Sequence, residues 1–311
     1  MMRSKIKLVI CSGKGGVGKS MLASALSMLF SQNKNLPRSA RQNLDSFRIK
    51  KVVAVDCDVD APNLAVWLGE PEKWQTVKKI SVSEKPVIRD TKLNKKEAER
   101  CTKKCRFNAL KVEKGKLKLN PFLCEGCGAC EVFCPEGVIK MKRVKNGEIK
   151  LKKTKYNFPL VSGNLFPGET GSGKIVTEIK KEADRFDCDI QILDSAPGTG
   201  CPVVASLQDA NFVILITEPT PSGFSDLLRV LEVVNHFRIP WKLVINKWDI
   251  NPQLSGKIER WSRSRFLGKI SYDKKIFQAI SNLIPVLETN LKVTEEIKDI
   301  YQNLILHFPP Y

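Results

Sequence analysis

A chain of 311 residues with 42% hydrophobic content is long enough for a full core and an appended module, which excludes a disordered chain, and no apolar run approaches a membrane span. Ten cysteines follow a basic N-terminus whose apolar stretch of about five residues is too short for a secretory h-region, so a reducing, cytoplasmic setting is expected, where clustered cysteines bind metal more often than they cross-link. The net charge of +19 is concentrated in residues 95–155 (18 Lys and Arg against 7 Glu) and 31–51 (6 against 1), without the interleaved aromatics of a nucleic-acid platform; a solvated surface or an acidic protein partner accounts for this field equally well.

The first element is the apolar run Lys7–Ile10, followed by Gly13-Lys14-Gly15-Gly16-Val17-Gly18-Lys19-Ser20. A strand, a glycine loop and a helix in this order turn backbone N–H groups around phosphate oxygens and aim the positive helix end at the same anion. Lys19 can reach the terminal phosphates and the Ser20 hydroxyl can sit on Mg2+. Gly13, Gly15, Gly16, Val17, Gly18, Lys19, Ser20 and Met21 form the expected contact set for ATP or GTP. The pattern needs only one lysine, so Lys14 is extra.

Residues 31–51 read as a long basic loop. A buried strand then ends in carboxylates at Asp56, Asp58 and Asp60, where functional side chains of parallel sheets gather. Six cysteines fall between 101 and 134. Cys124, Cys127, Cys130 and Cys134 stand as C-x2-C-x2-C-x3-C-P, a wrap that favours a 4Fe-4S cubane over zinc, which prefers two separated pairs. The matching half has decayed, since the positions of its first two cysteines hold Lys95 and Ala98. With the crossed ligation of two-cluster ferredoxins, Cys105, Cys124, Cys127 and Cys130 hold one 4Fe-4S cluster, and Cys101 and Cys134 remain as neighbouring thiols or a disulfide. Short strands at 116–119 and 147–151 would frame this insert.

Residues 168–174 also fit G-x4-G-K, but Ile175 replaces the hydroxyl and Phe166-Pro167 is a poor strand end, so a glycine-rich loop is predicted there. A second buried strand ends at Asp194, suited to hold Mg2+ together with Ser20, and leads into Ser195–Gly200. Strands at 212–217 and 242–247 alternate with helices at 222–237 and 293–306, the pattern of a doubly wound, mostly parallel α/β sheet. Asn246 closes its strand and can meet a base edge. Cys11, Cys57 and Cys188 read as core residues. The C-terminal helix lacks a basic amphipathic tail, so no membrane attachment is expected.

Lys14, Asp56–Asn63, Asp194–Gly198, Thr217–Thr220 and Asn246-Lys247 together resemble the MinD/ParA/Mrp superfamily of P-loop ATPases with a deviant Walker A loop, and the branch with an inserted ferredoxin domain above all. The resemblance implies a P-loop ATPase domain over 1–79 and 157–311 and a small α+β ferredoxin-like domain over 80–156. It implies an ATP-dependent homodimer in which Lys14 acts, like an arginine finger, on the partner's nucleotide. It also implies Asp58 orienting the attacking water, and Thr199 and Gly200 in a switch. Cys201 has an offset similar to a cluster ligand of the nitrogenase iron protein, without a partner cysteine nearby in sequence. Three functions follow, in this order: a nucleotide-gated iron-sulfur protein in electron transfer with an acidic redox or iron-sulfur partner, a cluster assembly or carrier ATPase, and a ParA-like positioning protein.

Overall fold

The computed structural model describes residues 5–32, 49, 51–89 and 93–306; most of the basic loop 31–51 and the tail after Leu306 lie outside the described residues. A nine-stranded sheet organises the chain. Seven strands run parallel in the order β13 (Phe266–Ile270), β12 (Trp241–Asn246), β11 (Phe212–Thr217), β1 (Ile6–Ser12), β10 (Ile190–Pro197), β2 (Val52–Asp56), β9 (Pro159–Leu165). Two antiparallel strands, β8 (Gly147–Lys153) and β3 (Thr76–Ile80), extend the β9 edge.

The apolar runs form central strands because both faces are covered. Leu8 and Ile10 pack with α1 (Lys19–Gln32) and α10 (Lys292–Leu306) on one face, through Leu22, Leu26, Ile297 and Leu304. Val9 and Cys11 face the opposite layer, where α5 (Ser172–Ala183), α6 (Cys201–Leu207), α7 (Pro221–His236) and α8 (Pro252–Ser262) supply Ile175, Val203, Val230 and Ile258. Cys11, Cys57 and Cys188 are buried in this layer, and burial raises the thiols of Cys11 and Cys57 to about 11 and about 12.

Residues 83–144 lie off this sheet. Their strands pair only as β4 (Ser83–Ile88) with β7 (Ile139–Val144) and β5 (Leu110–Glu113) with β6 (Lys116–Leu119). They carry α3 (Lys95–Lys104) and α4 (Ala129–Phe133) around a separate core of Cys101, Leu110, Leu117, Cys134, Val138 and Ile139. Helix α3 starts in a capping box, with Asn94 and Glu97 each accepting the other's backbone N–H at 2.9 Å. Lys95 and Ala98, where the missing cysteines would stand, belong to its first turn.

Two local expectations are corrected. Strand 147–151 pairs with β3 and β9 in the large sheet instead of framing the insert, and a strand does precede the second glycine loop, since β9 runs to Leu165. Among the described residues no helix is long and apolar enough to cross a membrane. Two short helices complete the site region, α2 (Leu64–Trp67) and α9 (Lys275–Ser281).

Candidate nucleotide site and cysteine-lined cavity

β1 delivers the chain buried as far as Ser12, and the loop to α1 is held by its carbonyls. Ser12 Oγ donates to Lys14 O at 2.7 Å, Asn246 Nδ2 to Val17 O at 2.8 Å and Lys247 Nζ to Gly16 O at 3.2 Å. Carbonyls tied away from the cleft are what a loop needs if its N–H groups are to meet an anion. Two glycines are obligatory for reasons of space and backbone. Gly18 has φ +97° and its missing methyl would collide with Asn246 Nδ2, while a methyl on Gly13 would collide with the Asp226 backbone of α7.

The resulting cleft has a volume of about 360 Å³. Its floor is Gly15, Gly16, Gly18, Lys19, Ser20 and Met21, with Asp58, Asn63 and Trp67 on one wall and Asn246, Ser271, Tyr272, Asp273 and Phe277 on the other. Gly13 and Val17 support the loop from behind: Gly13 against α7, Val17 through its carbonyl. Trp67, Tyr272 and Phe277 went unread in the sequence, because they come from turns and short helices without a motif. Asn246 uses one N–H on Val17 and accepts from Lys247 N at 2.9 Å, so it braces the loop and keeps one N–H and one lone pair for anything else.

Register brings the carboxylates together. Asp194 and Asp56 are partners across β10 and β2, and both are buried. Asp56 is the anchor of the following loop, accepting from Leu64 N at 3.0 Å and Asp58 N at 3.2 Å. Asp194 has no hydrogen-bond partner on either oxygen. Desolvation raises it to about 7 against the pull of the nearby Lys19 ammonium and Ser20 hydroxyl. An unpartnered, buried carboxylate beside a hydroxyl is a donor set that fits Mg2+. Asp58 lines the cleft and accepts from Ala61 N at 3.3 Å; desolvation raises its carboxyl despite Lys19.

Lys14 points away from the cleft floor. Its Nζ lies 2.7 Å from Glu218 Oε1, and Lys247 Nζ lies 3.2 Å from Glu218 Oε2. Burial would raise the Glu218 carboxyl, but the two lysines outweigh it and hold it below its ordinary value.

Within residues 83–144, Cys105, Cys124, Cys127 and Cys130 line one small cavity of about 50 Å³, together with Lys104, Arg106, Phe107 and Met141. Among the described residues no group of three or more His, Cys, Asp or Glu side chains is arranged to hold a single metal ion. Ala109 N donates to Cys105 Sγ at 3.3 Å. Cys101 and Cys134 are bonded to each other in the small core, with Cα atoms 5.1 Å apart. Cys201 is exposed at the first turn of α6.

A mostly parallel sheet covered on both faces, with a glycine loop after its first strand and acidic residues at two adjacent strand ends, defines a P-loop nucleotide-binding α/β protein. The chain belongs to the CobQ/CobB/MinD/ParA nucleotide binding domain family, whose profile matches residues 42–286. It is 34% identical over 299 residues to an uncharacterized protein of Methanocaldococcus jannaschii, covering 96% of each chain. It is 21% identical to the iron-sulfur cluster carrier protein of Methanococcus maripaludis, over 98% of this chain and 86% of the relative. Among solved structures, it matches septum site-determining protein MinD of Pyrococcus horikoshii complexed with Mg-ADP. That match has a TM-score of 0.56 at 14% identity and covers 98% and 97% of the two chains.

Proposed function

We propose that the chain is an Mg-ATP-dependent dimeric switch that controls a 4Fe-4S cluster held by Cys105, Cys124, Cys127 and Cys130, in electron transfer. The observation that carries this reading is a four-thiol cavity in the same chain as a P-loop cleft with an unpartnered acidic residue beneath it. In domain terms, residues 80–156 are the ferredoxin-like insert in an ATPase formed by 1–79 and 157–311; the separate small core of 83–144 supports it.

Lys19 and the loop N–H groups would bind the phosphates, and Ser20 and Asp194 would hold Mg2+, which supplies charge neutralisation at the β and γ oxygens. Asp58, on the cleft wall, would orient the attacking water. Lys14 would leave Glu218 and act across the dimer, exchanging one anionic partner for another. Its position supports this role: the side chain is 41% exposed and held by Glu218, which also holds Lys247. The cluster would supply one-electron chemistry. The protein's part is to hold it beside an exposed rim of Phe107, Val132 and Phe133 with Lys104 above the Phe133 ring, ground suited to an acidic partner.

The test is anaerobic reduction of the loaded protein by dithionite with Mg-ADP or with a nonhydrolysable ATP analogue. Gating requires the two nucleotides to give different rates or potentials, and identical values for both would refute it. The relative named as an iron-sulfur cluster carrier favours one alternative, delivery of the cluster. Delivery requires ATP-stimulated loss of the cluster to an apo-acceptor.

A further inference from the structure

The cleft and the cysteine cavity are joined by a continuous run of close contacts, some between backbones and most through buried or half-buried side chains. It starts at the end of β10, where Pro197 lines the nucleotide cleft and Gly198 N donates to Ser12 O at 2.9 Å. Gly198 has φ +89°, and the chain passes Gly200 directly into α6. Helix α6 is locked to α5 at both ends. At the start, a methyl on Gly173 would lie 2.9 Å from the Cys201 carbonyl oxygen, so the two helix starts touch backbone to backbone. At the other end, the buried Lys180 of α5 donates to Ala205 O at 2.8 Å and to Gln208 O, closing the carbonyl end of α6.

The loop before α5 belongs equally to the cysteine-bearing segment. Asn146 Nδ2 donates to Thr170 O at 2.8 Å, and the Thr170 and Ser83 hydroxyls lie 3.3 Å apart. Lys85 is the hub: buried, it donates to Gly168 O at 3.1 Å and Pro121 O at 3.2 Å and pairs with Glu169 at 2.9 Å. A methyl on Gly168 would lie 2.9 Å from the Phe122 ring. Cys124 follows two residues later, and Gly126, with φ +63°, rests on the Glu84 backbone so closely that no side chain fits.

We propose that α5 and α6 move as one lever, and that Lys85 and the 168–171 loop transmit the nucleotide state of the 198–200 loop after β10 to the segment 121–127 that carries Cys124 and Cys127. The geometry suits a two-position element. The helix pair is stiff, and each entry carries a positive-φ glycine: Gly198 before α6, Gly168 and Gly171 before α5. This rests on the nucleotide-switch reading above, but not on the cluster.

The experiment is hydrogen exchange read by mass spectrometry on the full chain, with Mg-ADP and with Mg-AMP-PNP, for the native protein and Lys85→Met. Native peptides over 168–173 and 121–127 should both change exchange rate between nucleotides by about threefold or more. In Lys85→Met the change should persist at 168–173 and vanish at 121–127, with nucleotide affinity unaltered. The milder Glu169→Gln keeps the shape of the joint and should diminish the transmitted change, which covers the case in which Lys85→Met fails to fold. An unresponsive 121–127 segment in the native chain, or an undiminished response in a folded variant, would overturn the lever. Iron analysis of the same samples separates the two ideas: a responding segment in iron-free protein keeps the lever and removes the cluster, and an iron-loaded, nucleotide-binding protein with a silent segment does the reverse.

Discussion

Asp194→Asn should make the nucleotide-free protein more stable while removing its response to magnesium. Held near 7 instead of at its ordinary 3.8, the buried Asp194 carboxyl costs the folded chain about 4 kcal/mol when fully ionised. The folded state therefore binds more protons than the unfolded state between these values. Its stability is highest below pH 4 on this account and falls as the pH rises towards and through 7. Asparagine keeps the shape and removes the charge, but it buries an amide, which returns about 1–3 kcal/mol. The net gain at pH 8 is then about 2 kcal/mol, a few degrees of Tm, and it shrinks to nothing or reverses at pH 4.5. Thermal melts of both proteins without nucleotide at the two pH values measure this directly. A variant that melts at or below the native protein at pH 8 would show that Asp194 is not an uncompensated buried charge, and the argument for a cation site beside Ser20 would go with it.

The same ionisation should govern ligand binding: the enhancement of ADP affinity by Mg2+ should grow from pH 6 to pH 8, as titration calorimetry can show, and be absent in Asp194→Asn. Lys19→Ala should weaken ATP binding by one to two orders of magnitude, corresponding to about 1.5–3 kcal/mol for a charge-assisted hydrogen bond, with little change in the melt. Lys14→Ala should leave ATP affinity nearly intact and slow hydrolysis by about 10³ or more if it acts as a charged finger; parallel losses in affinity and rate would argue for a role within its own cleft. Gly18→Ala, with a positive φ and Asn246 against the new methyl, should cost about 1–3 kcal/mol and abolish nucleotide binding.

The sequence exposed the centre of the sheet and hid its edge. β1, β2, β10, β11 and β12 are near-continuous apolar runs because both of their faces are buried, and that signal survives without any partner. β9 carries Pro159, Ser162, Gly163 and Asn164, so no period marks it, and it is defined only by pairing with β2 and β8. β8 has an alternating charged pattern that suits a small module as well as an antiparallel edge, and only the pairing decides. The phosphate loop was legible because glycine and lysine spacing is set by backbone geometry. Glu218 and the aromatic cleft wall were not assigned a role, since their function depends on which turns the fold brings together. The glycine loop at 168–174 was legible as a loop, but its joint with Lys85 was not, because Lys85 is an ordinary member of its own strand and only the fold brings the two together.

Iron and sulfide analysis with EPR on protein purified without oxygen, for the native chain, Cys105→Ser and Cys134→Ser, tests the central claim most directly. A single cluster on Cys105, Cys124, Cys127 and Cys130 requires about four iron and four sulfide per native chain, loss of the signal in Cys105→Ser, and its retention in Cys134→Ser. Colourless, iron-free native protein, or a cluster that depends on Cys134 and not on Cys105, would contradict it.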